Sequence, residues 1–95
     1  MCNLASYKAK MKELRKNSGI SIHKMAKMMR TSVSQMYHVF NGWKCSVRLI
    51  KGVAELIGID ADELIMFRYK CKINQTSQEK SELLSILERL NKINL

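Results

Sequence analysis

Between Ser21 and Gly42 the apolar residues recur at helical spacing twice, in two short runs with only Arg30-Thr31-Ser32 between them. In the first run Ile22, Met25, Ala26 and Met29 follow an i, i+3, i+4, i+7 pattern, which leaves His23, Lys24 and Lys27 outward. Ser21 stands where a helix needs a cap, because its hydroxyl can accept one of the free N–H groups of a first turn. After the corner, Ser32 precedes Gln35 by three residues, the spacing of a capping box in which Gln35 reaches back to the cap. The second run buries Val33, Met36, Val39 and Phe40 and stops at Asn41-Gly42. Two helices this short, joined by so tight a corner, cross steeply, and Ala26 offers the small side chain such a crossing needs.

The same reading extends to both flanks. A first helix from about Ser6 to Asn17 places Tyr7, Met11 and Leu14 on one face and Lys8, Lys12, Arg15 and Lys16 off it, and Asn17-Ser18-Gly19 ends it. Ser46 caps a fourth helix with Leu49, Ile50, Val53, Leu56 and Ile57 inward, closed by Gly58. Asp60-Ala61-Asp62-Glu63 is a further capping box and opens a fifth helix bearing Leu64, Ile65 and Phe67. No proline interrupts the 95 residues, and Met, Leu and Ile are common while few segments are rich in Val, Thr and aromatics, so the expected class is all-α. Residues 1–69 make one five-helix domain, and residues 70–77, polar and without periodicity, read as a linker. Residues 78–95 form a C-terminal amphipathic helix, capped by Thr76 with Glu79, whose stripe is Leu83, Ile86, Leu87, Leu90 and Ile93. That stripe is barely two heptads long, so the helix must bury it, on a second subunit or on the domain's own surface.

Charge divides the chain more sharply than hydropathy does. Residues 1–52 hold eleven Lys and Arg against the single acid Glu13, a net +10, whereas residues 53–95 sum to −1. A solubilising surface would spread both signs along the chain. Concentrating the whole excess on the short helix pair and its neighbours points to a polyanion as partner. A short basic helix pair is a device for setting one helix into a groove of double-stranded DNA.

Three cysteines, Cys2, Cys45 and Cys71, are odd in number and lack CxxC spacing, so free thiols in a reducing cytoplasm are expected rather than a disulfide or a metal site. No stretch of about 18 apolar residues offers a membrane span, and the N-terminus lacks the apolar run of a secretion signal. The expected location is cytoplasmic, with no cofactor. An enzyme such as a nuclease is disfavoured, since every acid except Glu13 lies after Val53 and serves caps or solvent.

The positions Ser21, Ala26, Met29, Ser32, Met36, Val39 and Gly42, followed by Leu49, Val53, Ala54, Leu56-Ile57-Gly58-Ile59 and Asp62-Glu63-Leu64, resemble the lambda-repressor-like, or Xre-type, helix-turn-helix family over roughly residues 7 to 67. Two positions depart from that pattern. Arg30 occupies the corner where the family usually has Gly, so an ordinary residue must make the turn. Phe40 stands where many members carry an acid paired to the base matching Arg15, which frees Arg15 for a phosphate. The resemblance implies a sequence-specific transcriptional regulator, a repressor acting as a homodimer on an inverted repeat, with a phage, plasmid or other mobile element as its source.

Base edges in the major groove would be met by Val33, Ser34, Gln35, Tyr37 and His38. By the resemblance, Val33, Ser34 and His38 are the groove-facing positions; Gln35 suits adenine and Tyr37 a thymine methyl, unless Gln35 serves only its cap and Tyr37 is half-buried. Phosphates would be held by Lys24, Lys27, Ser32, Asn41 and Lys44, with Arg15 and Arg48 as further ligands. Trp43, the only Trp, is expected to cover the core between the third and fourth helices. Leu83, Ile86, Leu87, Leu90 and Ile93 would join two subunits, since a two-fold operator favours a dimer. The competing class is a protein-interaction module, an antitoxin or anti-repressor whose C-terminal helix binds a partner protein.

Overall fold

The computed structural model describes residues 2–93, and of Ile93 the backbone alone. Six helices follow in order: α1 (Leu4–Ser18), α2 (Ile22–Met28), α3 (Val33–Phe40), α4 (Val47–Ile57), α5 (Ala61–Lys70) and α6 (Ser77–Ile93). Among the described residues there is no strand. Side-chain caps open each helix as the serines and acids foretell. Ser21, Ser32 and Ser46 accept from the amides of Lys24, Gln35 and Leu49, Asp60 accepts from Asp62 and Glu63, and Thr76 from Glu79. α1 begins earlier than its apolar spacing suggests, because Asn3 caps it by accepting from the Ser6 amide at 2.9 Å.

Helix ends are closed by left-handed residues. Gly19, Gly42 and Gly58 have φ of 72°, 76° and 77°, and two ordinary residues do the same work, Arg30 at 53° and Lys72 at 58°. At Arg30 the Thr31 amide donates to the Ala26 carbonyl and the Arg30 amide to that of Lys27, 2.9 and 3.1 Å, the paired bonds of a Schellman ending. Arg30 therefore makes the corner in the conformation glycine would adopt, with a Cβ penalty of about 1–2 kcal/mol. Arg48 on α4 steadies the same corner by donating to the Met29 carbonyl at 3.2 Å.

The core gathers Tyr7 and Met11 from α1, Met25 and Ala26 from α2, Met36, Val39 and Phe40 from α3, and the inward faces of α4 and α5. α6 belongs to this body as well. Leu83 and Ile86, expected to serve a second subunit or the domain's own surface, are buried in the domain's own core. The segment read as a linker also packs down, with Cys71 and Ile73 buried. Gly42 leaves room for it: a Cβ there would sit 2.6 Å from the Leu4 side chain and 3.0 Å from that of Ile73.

The cysteine expectation is corrected. Cys2 and Cys71 are joined by a disulfide across a separation of 69 positions, their Cα atoms 4.7 Å apart, and Cys45 is free and buried. Spacing along the chain could not reveal this pair, because it arises where the N-terminal segment folds back on the end of α5. Among the described residues no helix is long and apolar enough to cross a membrane.

Candidate nucleic-acid interface

α3 turns Met36, Val39 and Phe40 inward, and the 3.6-residue repeat places Ser34, Tyr37, His38 and Asn41 on the opposite side. Ser34, Gln35 and Tyr37 are exposed, while Val33, His38 and Asn41 are half-buried. The Ser32 hydroxyl is engaged by the Gln35 amide at 3.2 Å. The Gln35 carboxamide does not reach back to complete the expected box and is without a hydrogen bond among the described residues. One helical face thus presents hydroxyl, carboxamide, phenol and imidazole groups that the protein's own interior does not use.

Trp43 is another correction. Its ring is 51% exposed rather than laid over the core, and its edge meets His38 with centroids 5.3 Å apart. The left-handed Gly42 turns the chain so that the Trp43 carbonyl, not the ring, points inward. The ring thereby prolongs the exposed face of α3.

Lys24 and Lys27 on α2 and Lys44, four residues after α3, are all exposed. The ion pairs among the described residues are Lys10–Glu13, Lys51–Glu82, Arg68–Glu79 and Arg89–Asp62. None involves Arg15, Lys24, Lys27, Arg30 or Lys44, so these cations are not neutralised by an ion pair among the described residues. Of the expected phosphate ligands, Arg15 and Asn41 line one cleft with Tyr37, and Arg48 is tied to the corner by its bond to Met29.

Behind the face lies a polar cluster that the sequence reading missed. Arg68, fully buried, donates from Nε and Nη2 to Glu79 at 2.9 and 3.2 Å, from Nη1 to the Tyr7 hydroxyl at 3.0 Å and from Nη2 to the Trp43 carbonyl at 3.1 Å. Tyr7 in turn donates to the Val39 carbonyl at 2.6 Å, and Gln75 donates to Glu79 at 2.8 Å. The last turn of α3 and the chain just beyond it are therefore held by α1, α5 and α6 together. A signal was available. Arg68 falls three and four residues after Ile65 and Leu64, and Glu79 falls four and seven before Leu83 and Ile86, so both charges sit on apolar stripes.

The cluster shapes its own ionisation. Burial pushes the Tyr7 hydroxyl up to about 12, against the pull of the Arg68 charge, and pushes the Cys45 thiol up to about 11. Burial works against the Arg68 charge, but Tyr7, Glu79 and Cys45 outweigh it, so the guanidinium is held charged more firmly than in water.

No family model matches the chain, and neither the curated proteins nor the solved structures contain a match to it.

Proposed function

We propose that the protein is a sequence-specific DNA-binding transcriptional regulator of the lambda-repressor-like type, with α2 and α3 as its helix-turn-helix and α3 as the reading helix. The observation that carries this reading is the polar outward side of α3, together with the exposed Lys24, Lys27 and Lys44, which have no acidic partner among the described residues. Ser34, Gln35, Tyr37 and His38, with Val33 at the helix start, read base edges, while the lysines, Ser32 and Asn41 hold phosphates on either side. With about six phosphate contacts, affinity falls by roughly a thousandfold between 50 and 200 mM salt.

The regulator acts as a homodimeric repressor on an inverted repeat. Because Leu83 and Ile86 are occupied within the domain, a second subunit would use the outer end of α6, where Leu90 is exposed and Leu87 half-buried. Ile93 completes that stripe in the sequence, but its side chain lies outside the described residues. Selection of bound duplexes from a random pool tests the reading. A palindromic motif supports it and gives the half-site spacing; absence of any enriched sequence rejects it.

The second reading, a protein-interaction module, draws on Leu84 and Leu90, which are 61% and 43% exposed on α6. Self-association of the purified chain, measured by light scattering, counts against it.

A further inference from the structure

A cleft of about 220 Å³ separates α1 from the junction of α2 and α3. On one wall Lys8, Lys12 and Arg15 stand at i, i+4 and i+7 of α1, so three cations share one helical face. On the other wall Tyr37 and Asn41 stand at i and i+4 of α3 and offer a phenol and a carboxamide as donors. Phe40, with Ile22, contributes the apolar lining between the walls. No acid lines the space, and the one acid of α1, Glu13, lies 4.0 Å from Lys10, which is not among the lining residues. None of the three cations has an ion pair among the described residues.

Three like charges on one face repel each other, and an apolar wall lowers the local dielectric and strengthens that repulsion. An anion entering the cleft removes the repulsion and gains hydrogen bonds from both walls. The geometry suits a tetrahedral oxyanion with several acceptor oxygens better than chloride, because cations and neutral donors approach from two sides. Tyr37 and Asn41 also belong to the outward side of α3, so an anion held here lies directly beside the proposed reading surface.

We infer that the cleft between α1 and α3, lined by Lys8, Lys12, Arg15, Tyr37 and Asn41, is a phosphate-binding seat that holds a backbone phosphate of the DNA passing the C-terminal end of α3. The assignment of DNA as the phosphate's source rests on the function proposed above. It extends the contact surface from the helix pair onto α1. A free phosphate ester has the same chemistry, and the test separates the two sources.

The test compares the wild-type chain with the double variant Lys8→Gln/Lys12→Gln, whose altered side chains are both exposed. In the first arm, inorganic phosphate is titrated at constant ionic strength against chloride and followed by amide NMR. Saturable shifts at Lys8, Lys12, Arg15 and Asn41, absent from the variant, are expected; shifts no different from those with chloride overturn the seat. In the second arm, duplex binding is measured over a range of salt. The variant's plot of log affinity against log salt should be shallower by about 2, with its preference for selected over scrambled duplex retained. An unchanged slope on a duplex that the wild type binds overturns DNA as the occupant, and saturable phosphate binding then assigns the seat to a free phosphate ester. Failure of the wild type to bind any duplex rejects the proposed function instead, while the first arm still decides the seat. Equal thermal unfolding of the two proteins confirms that the variant is folded.

Discussion

Arg68 and Glu79 form a two-point ion pair in which neither side chain is exposed, with Nε 2.9 Å from Oε2 and Nη2 3.2 Å from Oε1. The guanidinium also reaches Tyr7 and the Trp43 carbonyl, so every helix end that fixes the exit of α3 converges on one cation. Among the described residues no buried side-chain nitrogen or oxygen is left without a partner. A buried pair so fully hydrogen-bonded specifies one arrangement, and removing one member is far worse than removing both.

Glu79→Ala should therefore lower stability by about 3–5 kcal/mol, because it strands the Arg68 charge. Replacing both, as Arg68→Met with Glu79→Leu, should recover much of that loss. Urea denaturation of the singles and the double closes the cycle; additive losses would reject the pairing as the source. A truncation that removes residues 76–95 also removes Glu79, so any weakening of DNA binding it causes reports on the core before it reports on subunit contacts.

Arg30→Gly is expected to stabilise the protein by about 1 kcal/mol, since the native φ of 53° suits glycine and disfavours a Cβ. Lys72→Gly, at 58°, should act in the same direction. Chemical denaturation midpoints read both. A destabilised Arg30→Gly would mean that its exposed side chain contributes more than the backbone strain.

The buried Tyr7 hydroxyl and Cys45 thiol keep their protons longer in the folded protein than in the unfolded chain, at about 12 against 10.0 and about 11 against 9.0. Their contribution is complete below pH 9 and declines as pH rises through about 11 and 12, since the unfolded chain releases those protons first. Cys45→Ala should flatten the earlier part of that decline. Denaturation midpoints measured from pH 8 upward check this, and an identical pH profile in the variant would count against burial of the thiol.

Alkylation in denaturant without reductant should label one cysteine, Cys45, with Cys2 and Cys71 recovered as a bridged pair of peptides. Reduction should lower stability by about 2–5 kcal/mol, because the bridge closes a long loop. Three labelled cysteines in unreduced protein would reject the bridge.

Ser34→Ala or His38→Ala should weaken binding to a selected duplex by about 1–3 kcal/mol and leave scrambled duplex unaffected. Competition gel shifts on both DNAs decide it. Equal losses on the two would assign these side chains to positioning rather than to reading.

Local chemistry was legible where it was decided locally. The serine and acid caps, the glycine stops and the inward faces of α2, α3 and α4 follow from spacing that the neighbouring residues alone determine. The corner at Arg30 was legible only through the resemblance, which puts a glycine there, and the structure shows Arg30 taking the left-handed conformation such a glycine would adopt. What the sequence concealed depends on distant residues meeting. Cys2 finds Cys71, Arg68 finds Glu79, Tyr7 and the Trp43 carbonyl, and the Trp43 ring is left exposed. A charged residue on an apolar stripe is the trace such meetings leave, and both Arg68 and Glu79 carried it.

The order of synthesis gives the Arg68–Glu79 pair a further meaning. A chain leaves the ribosome from its N-terminus, so the whole basic half, through Lys51, emerges before Glu79 does. Until Glu79 arrives, the exit of α3 lacks its anchor and Arg68 has no acid to receive it. A nascent chain therefore displays its positive charge before Glu79 can anchor the exit of α3 through Arg68. If the proposed function holds, ordered recognition requires residues through Glu79 in place, and chains that stop short of it keep only salt-sensitive, shape-blind attraction.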